Sequence, residues 1–217
     1  VRDILLNSWE GVYFDINQQG MDQMMADIAS MGGELFVMDD GWFGDKYPRK
    51  NDSSSLGDWV VDKNKLPDGV KGLLSDAKKH GIKFGIWIEP EMANTTSELY
   101  EQHPDWVLKA PERDLVLGRG GTQVVLDLAN PAVQDFVFGV VDNLMTSYPE
   151  IDYIKWDANM AVMNHGSQYL TKENQSHMYI EYHRGFEKVC QRIRAKYPDL
   201  TIQACASGGG RANYGVL

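Results

Sequence analysis

The chain has 217 residues, 43% hydrophobic and 24% charged, a balance typical of a globular protein and not of a disordered, collagenous or coiled-coil one. Its 21 Lys and Arg residues against 31 Asp and Glu residues give a net charge of -10, which disfavours nucleic acid and membrane surfaces as partners and favours a neutral or cationic small molecule. Two cysteines, Cys190 and Cys205, exclude a disulfide framework, match no zinc-binding spacing and favour a reducing compartment.

Short apolar segments alternate along the chain with segments of helical periodicity. They predict six buried strands, at residues 9–14, 35–39, 83–88, 123–128, 153–156 and 201–204. The clearest helix begins with Asn130 as N-cap and Pro131 at the first helical position. Since no low-complexity linker interrupts the alternation, we expect residues 1–217 to belong to one α/β domain with a parallel sheet.

Two architectures are built from such units, the open doubly wound sheet and the (β/α)8 barrel. A dinucleotide-binding fingerprint would follow the first strand, but residues 15–20 contain a single glycine. The glycines at 208–210 follow the sixth strand without the Lys-Ser/Thr pair that ends a P-loop. The sequence therefore favours a TIM-type (β/α)8 barrel, with about six of the eight β/α units present in this chain.

Acidic residues follow most of the predicted strands, at the end where a barrel builds its active site. Carboxylates gathered there need a metal, a cation or hydrogen bonds, and Arg119 and Lys155 are candidate cations. Lys155 and Asp157 are two residues apart on a strand and therefore face the same side. The acidic residues are Asp39, Asp40, Glu89, Glu91, Asp127 and Asp157.

Several of these residues also have a purely structural interpretation. Asp127 precedes the Asn130-Pro131 helix start and is interpreted as a turn residue, while a structural role stays open for Glu89 and Glu91. Cys205 is interpreted as a small buried residue and not as a nucleophile. Tryptophans near the strand ends suit the apolar face of a pyranose, although they are also ordinary core residues; they are Trp9, Trp42, Trp59, Trp87 and Trp156.

Four motifs together resemble the catalytic barrel of the glycoside hydrolase family 36 α-galactosidases, over nearly the whole chain. They are Met-Asp-Asp-Gly-Trp at 38–42, Phe-Gly-Ile-Trp-Ile-Glu-Pro-Glu-Met at 84–92, Tyr-Ile-Lys-Trp-Asp at 153–157 and Cys-Ala-Ser-Gly-Gly-Gly-Arg at 205–211. The resemblance implies hydrolysis of terminal α-galactosyl residues, as in melibiose and raffinose, by a retaining double displacement without metal or organic cofactor. It also implies a homo-oligomer, often a tetramer, in the bacterial cytoplasm.

Carried over motif by motif, the resemblance implies a role for each matching residue. Asp157 matches the nucleophile, and Asp39 and Asp40 match the pair that binds the sugar hydroxyls farthest from the scissile bond. The other implied contacts are walls formed by Trp9 and Trp87, hydroxyl donors Arg119 and Lys155, and a segment against the C2 hydroxyl that contains Cys205 and Gly208.

The family's acid/base is an aspartate on the strand after the 205–211 motif, and the sequence reaches Leu217 without it. We therefore expect a fragment of a larger enzyme that can bind substrate or be glycosylated at Asp157 but by itself turns over unactivated substrates slowly or not at all. The loop at residues 44–62 is the expected place for selection of substrate length.

Other functions remain open from the residues. Galactosyl transfer, as in raffinose synthase, and cleavage of α-linked N-acetylgalactosamine use the same barrel. A metal-dependent lyase of the enolase type also uses carboxylates and a lysine at strand ends. A barrel kept only for sugar binding is the non-enzymatic alternative, which the buried charges of Lys155 and Asp157 argue against.

Overall fold

The computed structural model describes residues 2–211 and has the expected alternation of strands and helices. The strands are β1 (Leu5–Asn7), β2 (Leu35–Met38), β3 (Lys83–Ile88), β4 (Met92–Asn94), β5 (Gln123–Val125), β6 (Tyr153–Trp156) and β7 (Thr201–Ala204). The α-helices are α1 (Trp9–Val12), α2 (Gln18–Ser30), α3 (Gly69–His80), α4 (Glu98–Gln102), α5 (Pro131–Ser147) and α6 (Met178–Lys196). Two 3-10 helices cover Pro104–Trp106 and Lys172–His177.

Five strands form one parallel sheet in the order β1-β2-β3-β6-β7. All four neighbouring pairs are parallel, so the carboxyl ends of these strands lie along one edge of the sheet. The ladder continues past the strand ends, because Asp157 N–H donates to the Ile88 carbonyl and Cys205 N–H donates to the Trp156 carbonyl, each at 2.8 Å. The residues that follow the strands are thus held by the sheet itself.

The predicted strand at residues 9–14 is wrong. The first strand is Leu5–Asn7, and residues 9–12 form α1, in which Tyr13 N–H bonds the Trp9 carbonyl at 2.8 Å. Trp9, Val12 and Tyr13 have the i, i+3, i+4 spacing of a helix, but their β-forming side chains dominate the composition of the segment. Trp9 therefore still lies at the carboxyl end of the first strand.

The predicted strand at residues 123–128 is correct in part but belongs to a different sheet. Only Gln123–Val125 is extended, and it pairs antiparallel with Met92–Asn94, apart from the parallel sheet. A short, fully buried apolar segment looks the same in sequence whichever strand it joins. Among residues 2–211 there are therefore five parallel strands and not the expected six.

Helices cover the sheet by burying apolar faces, as the sequence predicts. Helix α5 begins as expected, with the Asn130 side chain accepting a hydrogen bond from Ala132 N–H at 3.0 Å and Pro131 at the first position. Its buried face includes Val133, Val137 and Val141, and the helix packs against α6. Among residues 2–211, no helix has both the length and the apolar character to cross a membrane.

Glycine at position 85 is dictated by the packing of β3. A Cβ atom there would lie 3.0 Å from Tyr153 Cβ, from the Tyr153 carbonyl and from Val37 Cγ2. The neighbouring strands leave no room for a side chain. This close approach places β3 and its following acidic residues directly beside β6.

Candidate active site

Polar residues collect at the carboxyl edge of the parallel sheet, where the sequence places the site. Each parallel strand contributes there, and five of these side chains are nearly inaccessible to solvent: Ser8, Asp39, Asp40, Glu89 and Asp157. Buried carboxylates require compensating partners, so the contacts of each one define its chemistry.

Asp39 is paired with a lysine on β6, two strands away in the sheet. Its Oδ2 accepts hydrogen bonds from Lys155 Nζ at 2.7 Å and Asn7 Nδ2 at 2.6 Å, and its N–H donates to Ser8 Oγ at 2.9 Å. Burial opposes the charge on Lys155, but the ion pair with Asp39 outweighs it and raises the pKa of Lys155. Lys155 is therefore charged at neutral pH.

Asp40 is paired with an arginine that the sequence analysis did not single out. Arg49 donates from Nε to Oδ1 at 3.0 Å and from Nη2 to Oδ2 at 2.7 Å, which is two-point recognition of the carboxylate. The Arg49 side chain is fully buried and also donates to Asn94 Oδ1 at 2.9 Å. Asp40 is thus held in one orientation by a buried cation.

Arg119 is exposed and reaches Asp40 only through intermediates. Its Nη2 lies 2.9 Å from Asp52 Oδ2, and Asp52 Oδ1 lies 3.5 Å from Arg49 Nη2. The four side chains form an alternating chain of charges that connects the surface to the buried Asp40. The predicted site residue Arg119 is therefore at the outer end of this chain.

Asp157 follows β6 and is bound by neutral donors only. Oδ2 accepts from Asn159 Nδ2 at 2.7 Å and from Trp87 Nε1 at 3.2 Å, and Oδ1 accepts from Ala158 N–H at 2.9 Å. The Cys205 thiol also hydrogen-bonds the carboxylate. Burial acts to raise the pKa of Asp157, but these hydrogen bonds outweigh it, so the pKa lies below its usual value and Asp157 is ionised at neutral pH.

Aromatic side chains form one wall beside Asp157. Trp87 is buried and stacks on Phe43, with ring centroids 6.1 Å apart and planes 7° apart. Its carbonyl accepts a hydrogen bond from Trp42 Nε1 at 2.9 Å, which fixes the strand end. Trp9, half-buried, is anchored by its N–H to Asn7 Oδ1 at 2.8 Å, and Asn7 in turn holds Asp39.

The segment after β7 turns back over the end of β6. Gly208 N–H donates to Cys205 Sγ at 3.4 Å, closing a tight loop, and Gly208 has φ +94°, in the left-handed region that favours glycine. Burial, with the Asp157 carboxylate as hydrogen-bond acceptor, raises the pKa of the Cys205 thiol. Cys205 is thus a neutral donor toward Asp157, in line with its interpretation as a residue that is not a nucleophile.

Glu89 follows β3 and is buried at the same edge of the sheet. It accepts a hydrogen bond from Asn159 N–H. Burial raises its pKa to about 8, with repulsion from Asp157 and Asp40 adding to the effect. At neutral pH Glu89 is protonated and adds no charge beside Asp157 and Asp40.

Two acidic residues serve the structure around the site. Glu91 accepts from Trp156 Nε1 at 2.8 Å, from Tyr182 OH at 2.6 Å and from Arg211 Nη1 at 2.6 Å, and these bonds tie the sheet to α6. The Asp127 side chain accepts from Ala129 N–H at 3.1 Å and from Ser167 Oγ, which is the turn role predicted for it.

The predicted site residues are thus brought together at this edge of the sheet, except for Arg119. Lys155 contacts Asp39, and Trp87 and Cys205 contact Asp157. Trp9 and Gly208 lie beside these residues, and Arg119 is at the surface. Within the described part of the chain, no group of three or more His, Cys, Asp or Glu side chains is arranged to hold a metal ion. Sequence reasoning missed Asn7, Ser8, Arg49 and Asn159, which hold the aspartates in place.

Comparison with known proteins gives consistent matches over the whole chain. The family model described as Melibiase matches residues 1–217. The chain is 41% identical to α-galactosidase AgaA of Geobacillus stearothermophilus and 42% identical to α-galactosidase C of Emericella nidulans, in each case over 100% of this chain but 29% and 28% of those proteins. It therefore spans less than a third of the length of these relatives.

Solved structures agree with the sequence matches. The α-galactosidase from Lactobacillus brevis superimposes with a TM-score of 0.93 at 40% identity, over 99% of this chain and 28% of that one. A variant of the G. stearothermophilus enzyme AgaA in complex with raffinose gives a TM-score of 0.93 at 40% identity, over 100% of this chain and 29% of that one. A further complex of that enzyme contains stachyose.

Proposed function

The chain belongs to the melibiase family, glycoside hydrolase family 36, and we propose that it is the part of an α-galactosidase that binds the galactosyl group and supplies the nucleophile. The proposed reaction is hydrolysis of terminal α-galactosyl residues from oligosaccharides by a retaining double displacement. Raffinose and stachyose, named in complexes of a relative about 40% identical, support oligosaccharides of this class as substrates.

The environment of Asp157 is the observation that carries the proposal. A nucleophilic carboxylate must be ionised before attack and must lose its charge when the glycosyl ester forms. The hydrogen bonds to Asp157 keep it ionised, and all of its donors are neutral. Loss of the negative charge on ester formation therefore leaves no buried cation without its partner.

The two paired aspartates suit recognition of hydroxyl groups. Asp39 and Asp40 are buried and fixed by Lys155 and Arg49, so their remaining acceptor positions have defined directions. Trp87, the predicted wall, is buried, stacks on Phe43 and contacts Asp157 through its indole N–H. We propose that this part of the site binds the hydroxyls of galactose remote from the scissile bond.

The Cys205–Gly208 turn is proposed to face C2 of the sugar. It lies against Asp157 through the Cys205 thiol, and the residues that follow, at 206–208, are all small. A tight surface at this position favours a hydroxyl over an N-acetyl group. The acid/base of the double displacement is expected from the strand that follows the 205–211 motif in this family, so the full-length protein is the form to test.

The test is to trap the glycosyl ester. Full-length protein would be mixed with an activated α-galactosyl fluoride, quenched in acid and weighed by intact mass spectrometry, followed by peptide mapping. We expect one galactosyl adduct on the wild type, located at Asp157, and none on Asp157→Ala. The matched control Asp114→Ala, at an exposed site, should label like the wild type. An adduct that persists on Asp157→Ala, or release of β-galactose as first product, would contradict the proposal.

A further inference from the structure

Asn159 lies at the junction of three strand ends that build the site. Its Nδ2 donates to Asp157 Oδ2 at 2.7 Å, and its N–H donates to Glu89 at the end of β3. On its other side, Oδ1 accepts from Ser207 N–H at 3.1 Å and Ser207 Oγ at 3.0 Å, in the turn after β7. A single half-buried side chain therefore contacts the carboxylate and the turn at the same time.

The orientation of the Asn159 amide is fixed by its partners. A backbone N–H can only donate, so the group that faces Ser207 N–H must be the amide oxygen. An ionised carboxylate can only accept, so the group that faces Asp157 must be the amide nitrogen. Rotation of the amide by 180° would break both contacts, and the arrangement has one solution.

The Ser207 contacts matter because that residue holds a strained turn. Ser207 has φ +48°, in the left-handed region that a serine rarely adopts, and it lies between Cys205 and Gly208. Its side chain and its N–H both bond Asn159. The Asn159 oxygen thus helps to hold the turn in the conformation that places Cys205 against Asp157.

We propose that Asn159 is a positioning residue that couples the orientation of the nucleophile Asp157 to the Cys205–Gly208 turn. The amide group is planar and rigid, so a shift of the turn moves the nitrogen that holds the carboxylate. This inference rests on the proposed function, since it assigns the turn to C2 of the sugar. Occupancy at C2 is then transmitted to the reacting carboxylate, and substrates that lack the C2 hydroxyl lose more than one contact.

Four variants of the full-length protein separate the two ends of this connection. Asn159→Ala removes both contacts, and Asn159→Asp keeps an oxygen toward Ser207 but cannot donate to Asp157 when ionised. Ser207→Ala removes one donor to Asn159 and leaves the bond to Asp157. Asn174→Ala is the matched control, because Asn174 is exposed and bonds only locally, to Thr171.

The first readout is the pH profile of kcat/KM for an aryl α-galactoside. A donated hydrogen bond favours the ionised carboxylate, so its removal raises the pKa of Asp157 and moves the acid limb to higher pH. We expect this shift in Asn159→Ala and Asn159→Asp, with kcat/KM lowered about tenfold or more. Ser207→Ala and Asn174→Ala should keep the acid limb of the wild type.

The second readout is the ratio of kcat/KM for the galactoside to that for its 2-deoxy analogue. We expect this ratio to fall several-fold in Asn159→Ala and Ser207→Ala, and to stay at the wild-type value in Asn174→Ala. A loss of stability alone would lower kcat/KM for the galactoside and for its 2-deoxy analogue by the same factor and leave their ratio unchanged. If Asn159→Ala does not fold, Asn159→Asp and Ser207→Ala decide the question.

An unmoved acid limb in folded Asn159→Ala and Asn159→Asp, or an unchanged ratio in Ser207→Ala, would overturn the inference. The trapping experiment on Asp157→Ala keeps this failure distinct from failure of the proposed function. If Asp157 is labelled and required while the Asn159 variants behave like the wild type, only the coupling is wrong.

Discussion

Replacement of Glu89 by Gln should stabilise the protein more and more as the pH rises. Glu89 is buried, and its pKa is raised to about 8, first by loss of hydration and then by Asp157 and Asp40. Between its ordinary value and about 8, the folded protein keeps a proton that the unfolded chain releases. The stability of the wild type therefore falls as pH rises through this interval, and Gln, which mimics the protonated acid, removes the effect.

The size of the effect follows from the interval in pH. A group with a pKa of 4.5 when unfolded and about 8 when folded costs about 1.4 kcal/mol for each pH unit between them. The stability gained by Glu89→Gln should therefore grow by up to about 5 kcal/mol between the two ends of the interval. Because Gln keeps an oxygen for the Asn159 N–H, the contact with the site is retained.

The assay is denaturant unfolding of the full-length wild type and variant at several pH values from about 5 to about 8.5, where the linkage operates. Glu150→Gln is the matched control, because it makes the same exchange of side chains at an exposed position. The difference in free energy of unfolding between Glu89→Gln and Glu150→Gln should widen steadily with pH. A difference that stays constant, or narrows, would refute the assignment of a protonated Glu89.

Two further substitutions test the packing around the site. Arg49→Met should lower the free energy of unfolding by about 3 to 5 kcal/mol, measured by denaturation, because Asp40 is left buried without its cation. Arg49→Lys should lower the free energy of unfolding less, and in steady-state kinetics it should raise KM for galactosides more than it lowers kcat. An unchanged KM would contradict a role for Arg49 in orienting Asp40. Gly185→Ala should destabilise the protein, since the added Cβ would lie 1.9 Å from the Leu128 carbonyl oxygen. The control Gly139→Ala, with nothing within 4 Å of its Cβ, should stabilise helix α5 by up to about 1 kcal/mol, and equal melting temperatures for the two variants would contradict the close approach.

The sequence predicted the fold wherever composition and periodicity agreed. The parallel α/β class and the helix that begins at Asn130 are confirmed, because a capping residue, a proline and an apolar face all indicate the same boundary. The aromatic and β-branched residues at 9–14 predict a strand, although residues 9–12 form a helix with helical spacing of their apolar side chains. The actual strand, Leu5–Asn7, is a three-residue edge strand with too few residues to show a period.

The aspartates of the site were predictable, but most of the residues that hold them were not. Asp39, Asp40 and Asp157 directly follow strands, so the rule that strand ends gather at one edge is enough to find them. Arg49 lies in a long irregular connection, and Asn159 looks like any turn residue. Their partners are set by how loops close in three dimensions, and a single sequence carries no period or spacing that reports this.

The three central aspartates differ in the charge of their donors, and this difference follows from what each must do. Asp39 and Asp40 form no covalent bond in the proposed reaction, so Lys155 and Arg49 keep their partners throughout. In the proposed reaction Asp157 becomes a neutral ester, and a buried cation bonded to it would then be left unpaired at a cost on the order of several kcal/mol. Its donors are instead an indole, an amide, a backbone N–H and a thiol, which hold a carboxylate or an ester without a change of net charge. The substitution Asn159→Lys should therefore bind the free Asp157 carboxylate more strongly and slow formation of the ester. A donor that holds the carboxylate too tightly at this position opposes its attack on the sugar.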